Sequence, residues 1–94
     1  MSNDISYFGW AILNQAITTS YAQVTYTRPI RGFRVQCRGD SVVFHKKLTG
    51  DTNYYTIKAR TNHPYELYNM DSSPSLGFFR TEDGSDTLEI IVFF

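Results

Sequence analysis

The stretch Phe33-Arg34-Val35-Gln36-Cys37-Arg38-Gly39-Asp40-Ser41 decides the fold class. Apolar and polar residues alternate strictly over its first six positions. Phe33, Val35 and Cys37 fall on one face of an extended chain, and Arg34, Gln36 and Arg38 on the other. Gly39-Asp40 then supplies two-residue turn chemistry, which predicts a hairpin with residues 41–46 as the returning partner.

The pattern continues in both directions. Upstream, strands are expected over residues 15–20 and 23–27, with Arg28-Pro29-Ile30-Arg31-Gly32 as a connection, because proline cannot donate to a ladder. Trp10, Leu13 and Ile17 have helical spacing, but Thr18-Thr19-Ser20 favours extended chain. Residues 1–13 therefore read as an N-terminal arm leading into a strand, with a helical turn as the alternative. Downstream, residues 54–60, 65–69, 76–80 and 87–94 read as strands. Polar turns separate them, among them the acidic hairpin turn Glu82-Asp83-Gly84-Ser85-Asp86. The expected fold is all-β: an N-terminal arm over residues 1–13 and one small antiparallel β-sandwich over residues 14–94, of jelly-roll or Greek-key type.

The composition bounds the function. A chain of 94 residues holds one domain. Nine basic and nine acidic residues give no net charge, which argues against a dedicated nucleic-acid binder. There is no long apolar run of the kind that spans a membrane as a helix. The single cysteine, Cys37, excludes an intramolecular disulfide framework, and Met1-Ser2-Asn3-Asp4 has no basic stretch of a signal peptide. Oligomerisation is the alternative route to stability for so short a chain. Basic residues concentrate in 28–60 and acidic ones in 61–94. This permits either opposed patches or, if strands of the two halves interleave, a mixed surface.

The last strand carries the clearest functional hint. Leu88, Ile90, Val92 and Phe94 form one face; Thr87, Glu89, Ile91 and Phe93 form the other, which becomes apolar after Glu89. A strand apolar on both faces is covered on both faces, and a two-layer sandwich has nothing further to cover the outer one. Either the arm, with Phe8, Trp10 and Ile12, folds over it, or a second subunit does. Phe8, Trp10, Ile12, Ile91 and Phe93 are thus the expected protein-interface residues.

No catalytic, cofactor or metal site is expected. Cys37 and His45 could meet across the predicted hairpin, but an inward-facing thiol is more simply a small hydrophobe. One cysteine and the separated His45 and His63 lack zinc-ligand spacing, and Asp83-Gly84-Ser85-Asp86 lacks the closing glutamate of a calcium loop. Arg38-Gly39-Asp40 matches an integrin-read tripeptide, yet Gly-Asp is also ordinary turn chemistry. The outward row Arg34, Gln36 and Arg38, with Tyr54, is a candidate for stacking on sugars or single strands, weighed against a plain solvated face.

The order of features through the chain carries a resemblance. It runs from Gln15-Ala16-Ile17-Thr18-Thr19-Ser20 and Gln23-Val24-Thr25-Tyr26 through Pro29 and Gly32-Phe33-Arg34-Val35-Gln36 to Arg38-Gly39-Asp40-Ser41. Tyr55-Thr56-Ile57, Tyr65-Glu66-Leu67, Phe78-Phe79-Arg80, Gly84 and Thr87-Leu88-Glu89-Ile90-Ile91 follow. This pattern resembles the small β-sandwich virion proteins of tailed bacteriophages that decorate or cement the capsid. The resemblance implies a non-enzymatic structural protein without cofactors, assembled in the host cytoplasm and located in the virion. It also implies the major capsid protein or other virion proteins as partners, and a homo-oligomer, with a trimer favoured. The alternatives are a carbohydrate- or ligand-binding β-sandwich module and a structural protein of the neck or tail.

Overall fold

The computed structural model describes residues 9–58, 65–68, 70 and 72–94. It contains eight strands: β1 (Trp10–Ile17), β2 (Ala22–Ile30), β3 (Gly32–Cys37), β4 (Val43–Lys46), β5 (Tyr55–Ile57), β6 (Tyr65–Leu67), β7 (Ser73–Thr81) and β8 (Asp86–Phe93). Two four-stranded sheets result, sheet A in the order β1-β8-β3-β6 and sheet B in the order β2-β7-β4-β5. All pairings are antiparallel. The pairs β1·β8, β2·β7, β3·β6 and β4·β5 nest within one another, as in a single long ribbon of paired strands rolled up on itself. That is the jelly-roll topology.

The core lies between the sheets. Ile17, Phe33, Val35, Leu88, Ile90 and Val92 come from sheet A, and Val24, Ile30, Val43, Leu76 and Phe79 from sheet B. Phe33 and Phe79 meet edge to face across the layers at 6.3 Å. Alternation sets this inner face: Phe33 and Val35 are buried while Arg34 and Gln36 are exposed, and Leu88, Ile90 and Val92 are buried while their odd-numbered neighbours are not.

Three sequence-based expectations need correction. First, Gly39-Asp40 does not close a hairpin: β3 belongs to sheet A and β4 to sheet B, so the turn is a corner between layers. The Asp86 carboxylate clasps this corner, accepting from the N–H groups of Gly39 at 3.0 Å and Ser41 at 3.3 Å. A Cβ on Gly39 would sit 2.8 Å from Asp86 Oδ2, so a larger residue there would displace the carboxylate that clasps the corner. Second, the acidic turn after β7 also crosses between layers instead of forming a hairpin. Third, residues 10–13 are the first half of β1, paired with β8, and neither cross the outer face of that strand nor form a helical turn. Lying beside β8 satisfies the backbone of both strands, which an arm draped across the sheet would forgo. The other differences are boundaries. β2 runs on through Pro29 to Ile30 by way of a register irregularity, and β7 begins at Ser73 inside the expected loop.

Candidate functional site

Period-two alternation in β1 and β8 puts Trp10, Ile12, Asn14 and Ala16 beside Phe93, Ile91, Glu89 and Thr87. Trp10 lies opposite Phe93 and Ile12 opposite Ile91, all four on the outer face of sheet A. Trp10 is 64% and Ile12 62% exposed, while Ile91 and Phe93 are half-buried. Tyr68, after β6, extends the patch, its ring 5.9 Å from that of Phe93. Gly32 lies opposite Phe93 on β3, leaving no side chain between them. Four of the five residues expected at an interface therefore share one contiguous apolar surface; Phe8 lies outside the described residues.

The rest of this face is polar and its charges are paired, starting from Arg34, which lies directly opposite Ile91. Arg34 pairs with Glu66 at 2.5 Å, and Arg38 with Glu89 at 3.1 Å, while Gln36 donates to the second Glu89 oxygen at 3.1 Å. The hydrogen bond and charge of Glu66 hold the Arg34 guanidinium above its usual pKa. Hydrogen bonds from Gln36 and then Arg38 hold the Glu89 carboxyl below the usual range. Basic strand β3 thus sits between acidic neighbours, so along this sheet the charges of the two sequence halves mix instead of forming opposed patches.

Other candidate constellations come apart. Cys37 is on β3 in sheet A and His45 on β4 in sheet B, so no hairpin joins them. Burial, followed by the nearby Asp86 charge, pushes the Cys37 thiol up to about 12, far from a reactive thiolate. His45 is buried, stacked on Phe79 at 4.3 Å, and its Nε2–H donates to the Leu76 carbonyl at 2.8 Å. Burial lowers its pKa, against an opposing contribution from that bond. Asp86 turns inward to the Gly39 corner instead of outward to a cation. Burial would raise its pKa, but bonds from Thr87, Ser41 and Gly39 outweigh that and hold it low. In the tripeptide 38–40, Arg38 is held by Glu89 and the Gly39 N–H by Asp86. Among the described residues no group of three His, Cys, Asp or Glu could hold a metal ion. No helix among them is long and apolar enough to cross a membrane. Tyr54 does not join Arg34, Gln36 and Arg38, because it precedes β5 in the opposite sheet and packs on Phe44 at 5.0 Å.

Sheet B has an outer face that the sequence reading missed. With Val43 and His45 turned to the core, Phe44 and Lys46 point outward, as do Phe78 and Arg80 opposite them. The Arg80 guanidinium lies 4.6 Å over the Phe44 ring, and Lys46 Nζ 4.3 Å over the Tyr21 ring. The detectable signal was Val42-Val43-Phe44, apolar on both faces like the end of β8. No protein-family model, curated protein or solved structure matches the chain.

Proposed function

We propose that this chain is a non-enzymatic structural protein of a tailed-phage virion. In this reading it is a decoration or cement protein that docks on the capsid through the outer face of sheet A. The observation that carries it is the apolar patch of Trp10, Ile12, Tyr68, Ile91 and Phe93, in which Trp10 and Ile12 are mostly exposed. Large exposed apolar patches rimmed by polar groups mark protein-interaction sites. The rim here is formed by side chains whose charges already pair, so this face selects an apolar, uncharged counterpart. The jelly-roll topology supports the reading by analogy, since capsid and lectin domains both use it. A protein that binds only the assembled lattice stabilises that lattice by mass action, without any chemical step.

The test is cosedimentation with empty heads assembled from the major capsid protein encoded in the same genome. Wild type should pellet with the heads. The double variant Trp10→Asp/Ile12→Asp should not, while melting close to wild type, because both side chains are already mostly in water. Loss of a central aromatic anchor weakens such contacts by about 2 kcal/mol or more, roughly thirtyfold in affinity. Equal pelleting of wild type and variant would refute the assigned face. No pelleting of either, or a genome without a capsid protein, would refute the virion role.

A further inference from the structure

The outer face of sheet B presents cations that form no ion pair with a carboxylate among the described residues. Arg80 lies over Phe44 and within 5.5 Å of the Tyr21 ring, and Lys46 lies over Tyr21. Their hydrogen bonds go to neutral acceptors. Lys46 donates to the carbonyls of Thr49 at 3.0 Å and Asp51 at 3.3 Å, and Arg80 to those of Thr19 at 3.4 Å and Thr81 at 3.1 Å. Both ion pairs found among the described residues are on sheet A. The nearest carboxylates in sequence are Asp51, whose side chain caps the Leu48 N–H at 3.0 Å, and Glu82 at the rim.

The complementary element is on the same chain. Glu82 and Asp83 stand exposed in the connection between β7 and β8, without an ion pair among the described residues. That connection is held in shape: Glu82 N–H donates to the Val42 carbonyl at 2.9 Å, Thr81 Oγ1 donates to the Gly84 carbonyl at 2.5 Å, and Gly84 has φ +70°. In a chain of zero net charge, an unneutralised cationic face leaves carboxylates unneutralised elsewhere, and Glu82 and Asp83 are two that stand together.

We propose that the cation-over-aromatic face of sheet B receives the acidic 82–85 connection of a second copy of this chain. Lys46 and Arg80 are already stacked on rings, so less side-chain freedom is lost when a carboxylate arrives. Arginine also offers its planar fork to a carboxylate with two parallel hydrogen bonds. The two surfaces differ, so each copy can give one contact and accept another, closing a ring or extending an array. This contact stands independently of the apolar docking face on sheet A.

The test is the solution mass of the full chain by light scattering over a concentration series at low and high salt. Wild type should exceed the monomer mass of 10.9 kDa at low salt and shift toward it as salt is added. Lys46→Glu/Arg80→Glu and Glu82→Lys/Asp83→Lys should each raise the concentration needed for association about tenfold or more. An equimolar mixture of the two variants, which restores opposite charges across the contact, should recover it. Should the sheet B variant fail to fold, Lys46→Gln together with the turn variant gives the same reading. A wild type that is monomeric throughout, a reversal without effect, or a mixture that does not recover would overturn the proposal. Trp10→Asp/Ile12→Asp must leave this salt-sensitive association intact, which separates it from the capsid-docking reading.

Discussion

Sheet A keeps an unbroken register, β1 against β8 over eight residue pairs and β8 against β3 over six. Sheet B is interrupted: β2 and β7 slip register after Val24 and again before Ile30, the first slip leaving Leu76 as an extra residue beside the positive-φ Gly77. Each sheet places rings on its outer face, but the two treat them differently. In sheet B, Arg80 and Lys46 from neighbouring strands lie over Phe44 and Tyr21, so charge meets the solvent. In sheet A, the cations Arg34 and Arg38 pair with carboxylates, and Trp10 and Ile12 stay mostly in solvent. The contrast teaches that outer-face composition is a poor guide by itself. What distinguishes an interface from a finished surface is whether neighbouring strands supply side chains long enough to cover the rings.

The irregularity of sheet B should dominate the largest effect. Gly77 has φ +101°, and a Cβ there would lie 2.6 Å from both His45 Nε2 and the Lys46 carbonyl oxygen. Gly77→Ala should therefore cost about 3 kcal/mol or more in urea melts, since backbone strain and a collision with main chain add. Gly84→Ala shares the positive φ, at +70°, but meets nothing within 4 Å, and should cost about 1 kcal/mol. Equal costs would mean that the backbone at Gly77 is not what fixes the geometry around His45.

Acid should separate the sheets next. Burial lowers the His45 pKa below its ordinary 6.5. Well above pH 6.5 the imidazole is neutral both folded and unfolded, so its lowered pKa has no effect on stability. As pH falls below 6.5, the unfolded chain takes up a proton that the folded chain resists, and stability declines. One proton limits the slope to about 1.4 kcal/mol per pH unit. His45→Gln should flatten this part of the curve. Sheet A responds later: Asp86 and Glu89 are held below their ordinary 3.8 and 4.5, so what they contribute persists above those values and is lost as pH falls through their lowered ones. A profile flat between pH 6.5 and 4.5 would remove His45 as the acid-sensitive element of sheet B.

What could be read from sequence follows from which forces are local. Alternation over a few residues gave the strands, their inner faces and the double-sided end of β8, because side-chain direction depends only on the residue's own strand. Gly39 shows where that stops. The same Gly-Asp dipeptide suits a hairpin or a corner, and the choice rests on Asp86, 47 positions away. Alternation marks Trp10, Ile12, Ile91 and Phe93 as interface residues but leaves open whether the arm or a second subunit meets the last strand; that they are neighbours within one sheet is not legible, since β1 and β8 sit at opposite ends of the chain. The cover of sheet B was illegible for the same reason: Tyr21, Lys46 and Arg80 come from three distant segments. Tyr54 was assigned to the wrong group because nothing near it in sequence says which sheet it joins.

The smallest effect belongs to the ion pairs of sheet A. Side-chain exposures of 46% and 31% for Arg34 and Glu66, and of 55% and 36% for Arg38 and Glu89, leave both pairs in solvent. Such pairs contribute little to folding, because water and salt screen the attraction while two long side chains lose freedom. The double variant Arg38→Gln/Glu89→Gln should therefore melt with wild type at low and high salt. Neutralising the partner's carboxylate alone is a different change. Glu89→Gln leaves Arg38 as an uncompensated cation on the outer face of sheet A, the face proposed to meet an uncharged apolar partner. Its melting should again match wild type, while its cosedimentation with heads weakens and the double variant's does not. That split assigns these residues to partner selection and not to the stability of the sheet. Equal binding by the single and double variants would reduce the Arg38–Glu89 pair to plain solvated surface, and leave the apolar patch to act alone.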